Sequence, residues 1–286
     1  EIFIIYLTLE LKRHILIFMK PKKLMFFLLV LSGIASLSIY AQISKQTDLR
    51  QHIPYFLILY IIVFICYIIA IIITQRETRY HPAITIIIVF FALAYRICLL
   101  PATPSLSNDI YRYKWDGKLM SQGINPYQFA PDSRQLEHIR DADFFKIDHR
   151  QIHSVYPALT QYLFMVAFNI YPDIYTLKLA FILFDMGIIF LLLALLKLLQ
   201  KNISNIIIYA WNPLTVIEIS GSGHLDSFAV FWLVLAVFLY YKRKTFLSSI
   251  ATYLSFLSKL FAFPVLLLSL RNISVKKMLF ILCIIL

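Results

Sequence analysis

The chain alternates long apolar runs with short polar segments. Runs that approach or exceed 18 apolar residues are long enough to cross a bilayer as single helices. The pattern predicts spans at about 24–41, 53–74, 82–100, 177–196, 203–219 and 226–241, and a further one beginning near 277. The run 245–270 is apolar except for Lys259 and has cations at both ends, so we expect a broken or re-entrant helix pair there. The predicted fold class is therefore an all-α polytopic membrane protein.

Composition agrees with this fold class and narrows the function. The sequence is 60% hydrophobic, and its 27 Lys and Arg residues exceed its 15 Asp and Glu residues, for a net charge of +12. We attribute the excess to basic cytoplasmic loops, because no basic stripe with helix or strand periodicity indicates nucleic-acid binding. No glycine-rich phosphate loop is present in the sequence. Cys66, Cys98 and Cys283 lie in apolar runs without metal-ligand spacing and are expected to be core residues.

The cations also predict which side of the membrane each loop faces. Basic residues precede the first span and separate the second from the third, at Arg76 and Arg79, so the third span delivers the loop 101–176 to the outer side. The basic residues 242–244 place the end of the sixth span inside. Both groups of basic residues lie on the cytoplasmic side only if the short apolar segment 156–171 does not cross the membrane. We therefore expect this segment to be an outer-surface or re-entrant helix. The alternative is that 156–171 crosses the membrane and reverses everything that follows.

We expect one membrane domain. Residues 1–23 form an N-terminal cytoplasmic or upstream segment, because Met19 stands before lysines and an apolar run as a start site does. Residues 24–286 form a single transmembrane domain, with no short repeat or low-complexity linker that would mark a second one. Leu286 falls inside an apolar run, from which we expect the domain to be truncated at its C-terminus.

The outer loop opens with a polar, aromatic and charged stretch. A Ser-Asn pair at 107–108 is expected to cap a helix. On that helix Asp109, Arg112, Tyr113 and Asp116 recur at i, i+3, i+4 and i+7 and share one face. Asp109 lies in the first turn, where the helix dipole favours the ionised carboxylate, and such a carboxylate suits a general base for a hydroxyl acceptor. The alternative is that Asp109 only caps a juxtamembrane helix.

A turn and several aromatic side chains follow in the same loop. The segment 123–127, Gly-Ile-Asn-Pro-Tyr, indicates a helix stop and a turn. The aromatic side chains could stack on a sugar, and anchoring at the membrane interface explains them equally well. They are Tyr111, Tyr113, Trp115 and Tyr127.

Charged residues within the apolar runs are candidates for function, because a charge inside the membrane is costly. Asp185 lies within a span, where it either has a function or pairs with Lys178, seven residues earlier on roughly the same face. Arg96 lies close to the outer end of its span and is expected to snorkel to the surface. Lys259 lies deeper and is a candidate to neutralise a lipid phosphate.

Three polar residues cluster at the outer end of the 203–219 run: Glu218, His224 and Asp226. A histidine with two acids could bind a sugar or a divalent metal. The spacing is not a standard metal signature, so no metal ligand is assigned and a divalent metal is kept as an alternative.

Together these motifs resemble a known family. They are Asp-Ile-Tyr-Arg-Tyr-x-Trp-Asp-Gly at 109–117, Gly-x-Asn-Pro-Tyr at 123–127, Tyr-Pro-Ala-Leu-x-Gln-Tyr-Leu-Phe at 156–164, Trp-Asn-Pro-Leu at 211–214, Gly-His-x-Asp at 223–226 and Ser-Lys-Leu-Phe-x-x-Pro at 258–264. In this order they resemble integral-membrane glycosyltransferases of the GT-C superfamily, especially the bacterial polyprenol-phosphate-mannose-dependent mannosyltransferase-like group. The resemblance covers roughly 85–286.

The resemblance implies a GT-C-like transmembrane helix bundle in the inner (plasma) membrane, with juxtamembrane helices in its outer loop. It implies transfer of a hexose such as mannose from a polyprenyl-phosphate donor to a glycan or lipid acceptor on the outer face. Asp109 matches the aspartate that acts as base in such enzymes, and Arg112, Lys114 and Lys259 are candidate cations for the departing phosphate. The candidate substrate-binding residues are Arg112, Tyr113, Asp116, Asn125, Tyr127, Tyr156, Gln161, Asn212, Glu218, His224, Asp226 and Lys259.

Two other functions remain open at this point. A transporter or flippase of lipid-linked sugars would use Asp185 and Lys259 as ion sites near the middle of the membrane. A non-catalytic membrane scaffold would use the outer loop as a partner-binding surface, and it would tolerate Asp109→Asn.

Overall fold

The computed structural model of the protein describes residues 21–75 and 81–260. Within these ranges every regular element is helical, which confirms the all-α fold class. The α-helices are α1 (Pro21–Ser44), α2 (Ile53–Gln75), α3 (Pro82–Leu99), α4 (Asp109–Ser121), α5 (Ala158–Ile170), α6 (Ile174–Leu198), α7 (Ile207–Ala210), α8 (Pro213–Val216), α9 (Asp226–Tyr241) and α10 (Thr245–Ser258). Short 3₁₀ segments cover Leu49–His52, Arg134–Ile139, Ala142–Lys146 and Ile203–Ile206, and a π-helical turn covers Ile217–Gly221.

Four helical segments of the described chain are long and apolar enough to cross a membrane. They are Lys23–Ser44, Leu49–Gln75, Pro82–Leu99 and Ile174–Leu198, close to four of the predicted spans. Large apolar side chains on their outer surfaces are exposed in the isolated chain, among them Ile61, Phe90 and Leu183. Such surfaces are unfavourable in water and suit contact with lipid. The protein is therefore a membrane protein, and the span predicted near 277 lies outside the described residues.

The prediction of one continuous span at 203–219 is wrong, because the helix breaks at Asn212 and Pro213. Pro213 has no N–H to continue the helix, and the Asn212 side chain accepts a hydrogen bond from the Leu214 N–H to start α8. The break frees two carbonyl groups within the apolar interior. The Tyr67 hydroxyl donates to Ile208 O at 2.7 Å, and Arg96 donates to Ala210 O at 2.9 Å. Side chains of other helices thereby donate hydrogen bonds to both carbonyl groups, as an apolar environment requires.

The segment predicted to lie on the membrane surface forms α5, which is only 13 residues long. At 1.5 Å per residue it measures about 20 Å, well short of the roughly 30 Å hydrocarbon core. Its inner face packs closely on α4, where a Cβ on Gly117 would approach the Phe164 carbonyl oxygen to 2.5 Å. Its other face exposes Tyr162, Val166 and Ile170. This length favours the predicted surface or re-entrant helix over the alternative of a crossing one, and the side of the membrane stays a prediction.

The last described helices are shorter than the first. Helix α9 has the predicted bounds 226–241, but its 16 residues fall below the length of the four long spans. Helix α10 ends at Ser258, and Lys259 adopts an extended backbone. The predicted break in the run 245–270 is thus present at Lys259, while the second half of the predicted pair lies outside the described residues.

Two separate hydrophobic clusters hold these elements together. One joins α1, α2 and α3 to α6 and the broken helix, with Trp211 packed edge-on against Phe91 and Tyr95. The other lies within the predicted outer loop, between α4, α5, the start of α6 and the 3₁₀ segments, and includes Trp115 and Phe144. The loop is therefore a folded unit seated on the membrane helices.

The charges within the membrane helices pair in a way that the sequence analysis did not predict. Arg96 Nε lies 2.5 Å from Asp185 Oδ2, and both side chains are fully buried. The Tyr209 hydroxyl donates to the other carboxylate oxygen at 2.5 Å. Arg96 therefore does not snorkel, and Asp185 pairs with Arg96 on the adjacent helix α3, not with Lys178. Lys178 instead donates to Leu99 O and Ala102 O, at 3.1 and 2.7 Å.

We expect Asp185→Ala to lower the unfolding temperature of the detergent-solubilised protein strongly, because it leaves the buried Arg96 guanidinium without its carboxylate. Removing one partner of a buried ion pair costs about 3–5 kcal/mol. The loss is measured by thermal unfolding followed by size-exclusion chromatography.

Two controls separate this effect from general damage to α6. Asp173→Ala removes only the N-cap of α6 and should cost about 1 kcal/mol. The double variant Arg96→Met/Asp185→Leu should recover only part of the lost stability, since it removes the unpaired buried charge but leaves the Ala210 carbonyl oxygen and the Tyr209 hydroxyl without their partners. An Asp185→Ala protein as stable as Asp173→Ala would contradict the role given to the pair.

Candidate active site

The first turn of α4 presents Asp109 at the surface. The Asp109 N–H donates to Ser107 Oγ at 3.2 Å, so the Ser-Asn pair caps the helix through the serine. Asn108 makes no cap; its amide bridges Arg50 and Asp148, at 2.7 and 3.1 Å. The Asp109 side chain is 51% exposed, which leaves its carboxylate open to a substrate.

The π-helical turn and the glycine after it bring His224 against the start of α4. Gly223 has a φ of +75°, a left-handed conformation that side chains rarely adopt, and a Cβ there would collide with the Ile110 side chain. The backbone N–H of His224 donates to the backbone carbonyl oxygen of Glu218 at 3.0 Å and closes the turn. His224 Nδ1 lies 2.7 Å from Glu218 Oε2, and Nε2 lies 3.8 Å from Asp109 Oδ2.

Charge around the imidazole favours its protonated form. The hydrogen bond to Glu218 raises the pKa of His224 above its usual value; burial opposes this rise, and the carboxylates of Glu218, Asp109 and Asp226 reinforce it. The imidazolium is thus held between the carboxylates of Glu218 and Asp109.

A second ion pair completes the charged group. Lys259 Nζ lies 2.6 Å from Asp226 Oδ1, and both side chains are nearly half exposed. Asp226 begins α9 and Lys259 follows the end of α10, so the pair joins two helices at this end of the bundle. We refer to the five residues as the charged cluster. They are Asp109, Glu218, His224, Asp226 and Lys259.

Two tyrosines, Tyr113 and Tyr156, lie close enough to Asp109 to feel its charge. The Tyr113 ring stacks on Phe164 with centroids 4.7 Å apart and meets Tyr156 edge-on at 5.0 Å. Burial raises the pKa of both phenols, and the Asp109 carboxylate adds to this in each. Both hydroxyls therefore stay protonated and can donate hydrogen bonds at the edge of the charged cluster.

The residues predicted to share one face of α4 contribute to two different places in the structure: the charged cluster and a buried network. Arg112 donates to Asp116 at 2.8 Å and to Ile152 O at 2.9 Å, and Asp116 also accepts from Ser154 at 2.5 Å and Gln161 at 3.0 Å. All four side chains are buried between α4, α5 and the loop. This buried network holds α5 against α4, and the structure does not bring Arg112, Asp116 or Gln161 into the charged cluster.

The remaining predicted residues lie in turns and ion pairs. Asn125 accepts from the Tyr127 N–H at 2.9 Å, and the Tyr127 hydroxyl donates to Tyr156 O at 2.6 Å, so both stabilise the predicted turn. Asn212 is the N-cap of α8, where its side-chain oxygen accepts a hydrogen bond from the Leu214 N–H. Lys114, a candidate for the lipid phosphate, is paired with Asp143 at 2.5 Å.

Some features of the site had no signal in the sequence. Ser154 links the buried network, yet a single serine in a polar loop follows no pattern. For the predicted metal alternative, no group of three or more His, Cys, Asp or Glu residues in the described ranges could hold a metal ion. The charged cluster is thus arranged as ion pairs around an imidazole.

A comparison with known families matches the sequence that forms this site. A family model described as the N-terminal domain of alpha-(1->6)-mannopyranosyltransferase matches residues 38–272, which include all five residues of the charged cluster. No curated protein and no solved structure matches the chain. The match extends over well more than half of the 286 residues and confirms the resemblance to membrane mannosyltransferases. The chain therefore belongs to the alpha-(1->6)-mannopyranosyltransferase family, whose N-terminal domain it contains.

Proposed function

We propose that the protein transfers mannose from a polyprenyl-phosphate donor to a glycan or lipid acceptor, with Asp109 as the general base. Membership of a mannosyltransferase family supports the sugar. The observation that carries the base assignment is the position of Asp109: its exposed carboxylate begins a helix and lies 3.8 Å from His224. A carboxylate beside cationic groups matches a reaction that removes a proton while an anion departs.

The proposed reaction is a single displacement. The acceptor hydroxyl gives its proton to the Asp109 carboxylate, and its oxygen forms a bond to the anomeric carbon of the donor. The bond between that carbon and the phosphate oxygen breaks, and polyprenyl phosphate leaves with the bonding electrons. Attack opposite the leaving group inverts the anomeric configuration, and no redox partner is required.

The two cations of the charged cluster are suited to the departing phosphate. The imidazolium of His224 and the ammonium of Lys259 are both partly exposed; His224 lies 3.8 Å from Asp109, and Lys259 lies 2.6 Å from Asp226. Fixed positive charges that face a developing anion lower the barrier without reorganisation during the reaction. Arg112 and Lys114 lie outside the charged cluster, in ion pairs with Asp116 and Asp143, so we assign this role to His224 and Lys259.

The proposed setting is the inner (plasma) membrane, with the charged cluster on the extracytoplasmic side and a bundle of the GT-C type. The basic residues 242–244, which directly follow α9, support this orientation under the positive-inside rule. The start of α9, which carries Asp226, then faces outward. A donor with a polyprenyl tail reaches this level from within the bilayer.

The transporter alternative loses one of its two proposed ion sites. Asp185 is fully buried and held by Arg96 and Tyr209, so it is a structural carboxylate and not an exchangeable site. The scaffold alternative predicts that the Asp109 carboxylate is dispensable, which the following variant tests.

We expect Asp109→Asn to reduce transfer of labelled mannose from polyprenyl-phosphate mannose by about 10²–10⁴, because the amide cannot accept the proton. The change keeps the shape of the side chain, so expression and folding should match those of the wild type. Asp132→Asn, an exposed carboxylate of the same loop region, serves as the control and should leave transfer unchanged. Full transfer by Asp109→Asn would exclude it as the base.

We expect the rate of transfer to depend on the His224 charge. Because the pKa of His224 is raised, its imidazolium is complete at low pH and is lost as the pH rises through that raised pKa. The rate should therefore fall on the alkaline side, at a pH above the ordinary histidine value of about 6.5. Glu218→Gln removes the main cause of the raised pKa and should move this fall to lower pH.

The pH–rate profile of transfer measures this shift in membranes. Glu137→Gln, an exposed residue of the loop, is the matched control and should not move the profile. An alkaline limb that stays in place in Glu218→Gln would show that another group governs it.

A further inference from the structure

A buried hydrogen bond joins the folded loop to the helix that precedes Lys259. Thr160 lies in the first turn of α5, and its hydroxyl donates to the backbone carbonyl oxygen of Ser258 at 2.7 Å. Both residues are fully buried, although 98 positions separate them in the sequence. The contact therefore depends on the packing of α5 against α10, which no local sequence pattern reveals.

The end of α10 is a place where such a donor is needed. The last carbonyl oxygens of a helix have no partner within that helix, and Ser258 is the last residue of α10. A buried carbonyl oxygen without a donor is destabilising. The Thr160 hydroxyl supplies the donor, and the backbone becomes extended at the next residue, Lys259. The contact therefore stabilises the helix end that Lys259 directly follows.

A second buried contact holds the same turn of α10 against α9. The Lys259 N–H donates to Ser255 O at 3.0 Å, and the Ser255 hydroxyl donates to Ala229 O at 2.8 Å. Helix α9 begins with Asp226, which pairs with the Lys259 ammonium. The Ser255 contact thus fixes α10 relative to Asp226, and the Thr160 contact fixes it relative to the folded loop.

The first turn of α5 also holds α4, the helix that carries Asp109. Gln161, the residue after Thr160, donates to Asp116 of α4 at 3.0 Å. Further along α5, Phe164 packs so closely on α4 that a side chain larger than glycine would collide there. Helix α5 therefore contacts α4 through one set of residues and α10 through Thr160. The position of Lys259 relative to Asp109 depends on this link.

We propose that Thr160 is a positioning residue for Lys259: through Ser258 it holds the ammonium in place for the departing phosphate. This inference rests on the proposed function and deepens it, because it identifies what fixes the cation after α10 relative to the carboxylate on α4. Charged groups that are held in the productive arrangement before the reaction lower its barrier.

The test variant is Thr160→Val, which removes the hydroxyl with little change of shape. We expect kcat for transfer from polyprenyl-phosphate mannose to fall about 10-fold, because a displaced ammonium stabilises the leaving phosphate less well. The KM for the acceptor should not change. Thr160→Ser keeps the hydroxyl and should retain the wild-type kcat within about 2-fold.

Thr252→Val is the matched control. Thr252 is also a buried threonine, but its hydroxyl donates to Ser248 O within α10, so its loss should leave kcat unchanged. A double-variant cycle then shows whether Thr160 acts through Lys259. Once Lys259→Met has removed the ammonium, Thr160→Val should lower transfer no further.

Hydrogen exchange measures the positioning of Lys259 without any transfer. The Lys259 N–H is bonded to Ser255 O, so its exchange rate reports on the end of α10. In the detergent-solubilised full chain, Thr160→Val should speed exchange in the peptide that contains Lys259 about 10-fold, and Thr160→Ser and Thr252→Val should not.

The outcomes separate this proposal from the proposed function. It is overturned if Thr160→Val exchanges at Lys259 as the wild type does, if its kcat is unchanged, or if it lowers transfer as much in the Lys259→Met background as in the wild type. Faster exchange confined to Thr160→Val, in a protein whose wild type transfers no mannose, would support the positioning of Lys259 and refute only the proposed function.

Discussion

The broken helix between α6 and α9 is the constraint on which the rest of the structure depends. Proline ends one helical turn inside an apolar interior, and the carbonyl groups released there need donors from outside the helix. Arg96 meets part of that need at Ala210, and because it is itself a buried charge it in turn needs Asp185. One interruption therefore couples three segments of the bundle: α3, α6 and the segment that leads to Glu218 and His224.

The charged cluster forms where this interrupted segment meets the folded loop. Asp109 comes from the first turn of α4, His224 from the turn after the π-helix, and Lys259 from the end of α10. Each lies at a helix end, where the backbone leaves room for a substrate to approach. The cluster combines a carboxylate, an imidazole with a raised pKa and an exposed ammonium. This combination provides a proton acceptor and positive charge within one small region.

Much of this architecture could be predicted from the sequence, because it depends on local patterns. The long apolar runs gave four of the predicted spans. Glu218, His224 and Asp226 are close enough in sequence to suggest a shared site. What could not be predicted depends on packing between distant segments. The partner of Asp185 is 89 residues away, so no spacing rule identifies it. The α4 face divides because Arg112 and Asp116 meet α5, which helical periodicity alone does not show. Asp109 as base and the outer location remain predictions.

Helix α6 contacts both segments that lead to the charged cluster, the one that carries Asp109 and the one that carries His224. Near its N-terminal end Lys178 donates to the carbonyl oxygens of Leu99, at the end of α3, and of Ala102, from which the chain continues to Asp109. Two turns further along, Asp185 and Arg96 hold the broken helix that continues to His224. A change in membrane thickness that tilts α6 is therefore expected to move both segments together. Because both anchors lie on one helix, we do not expect such a tilt alone to change the separation between Asp109 and His224.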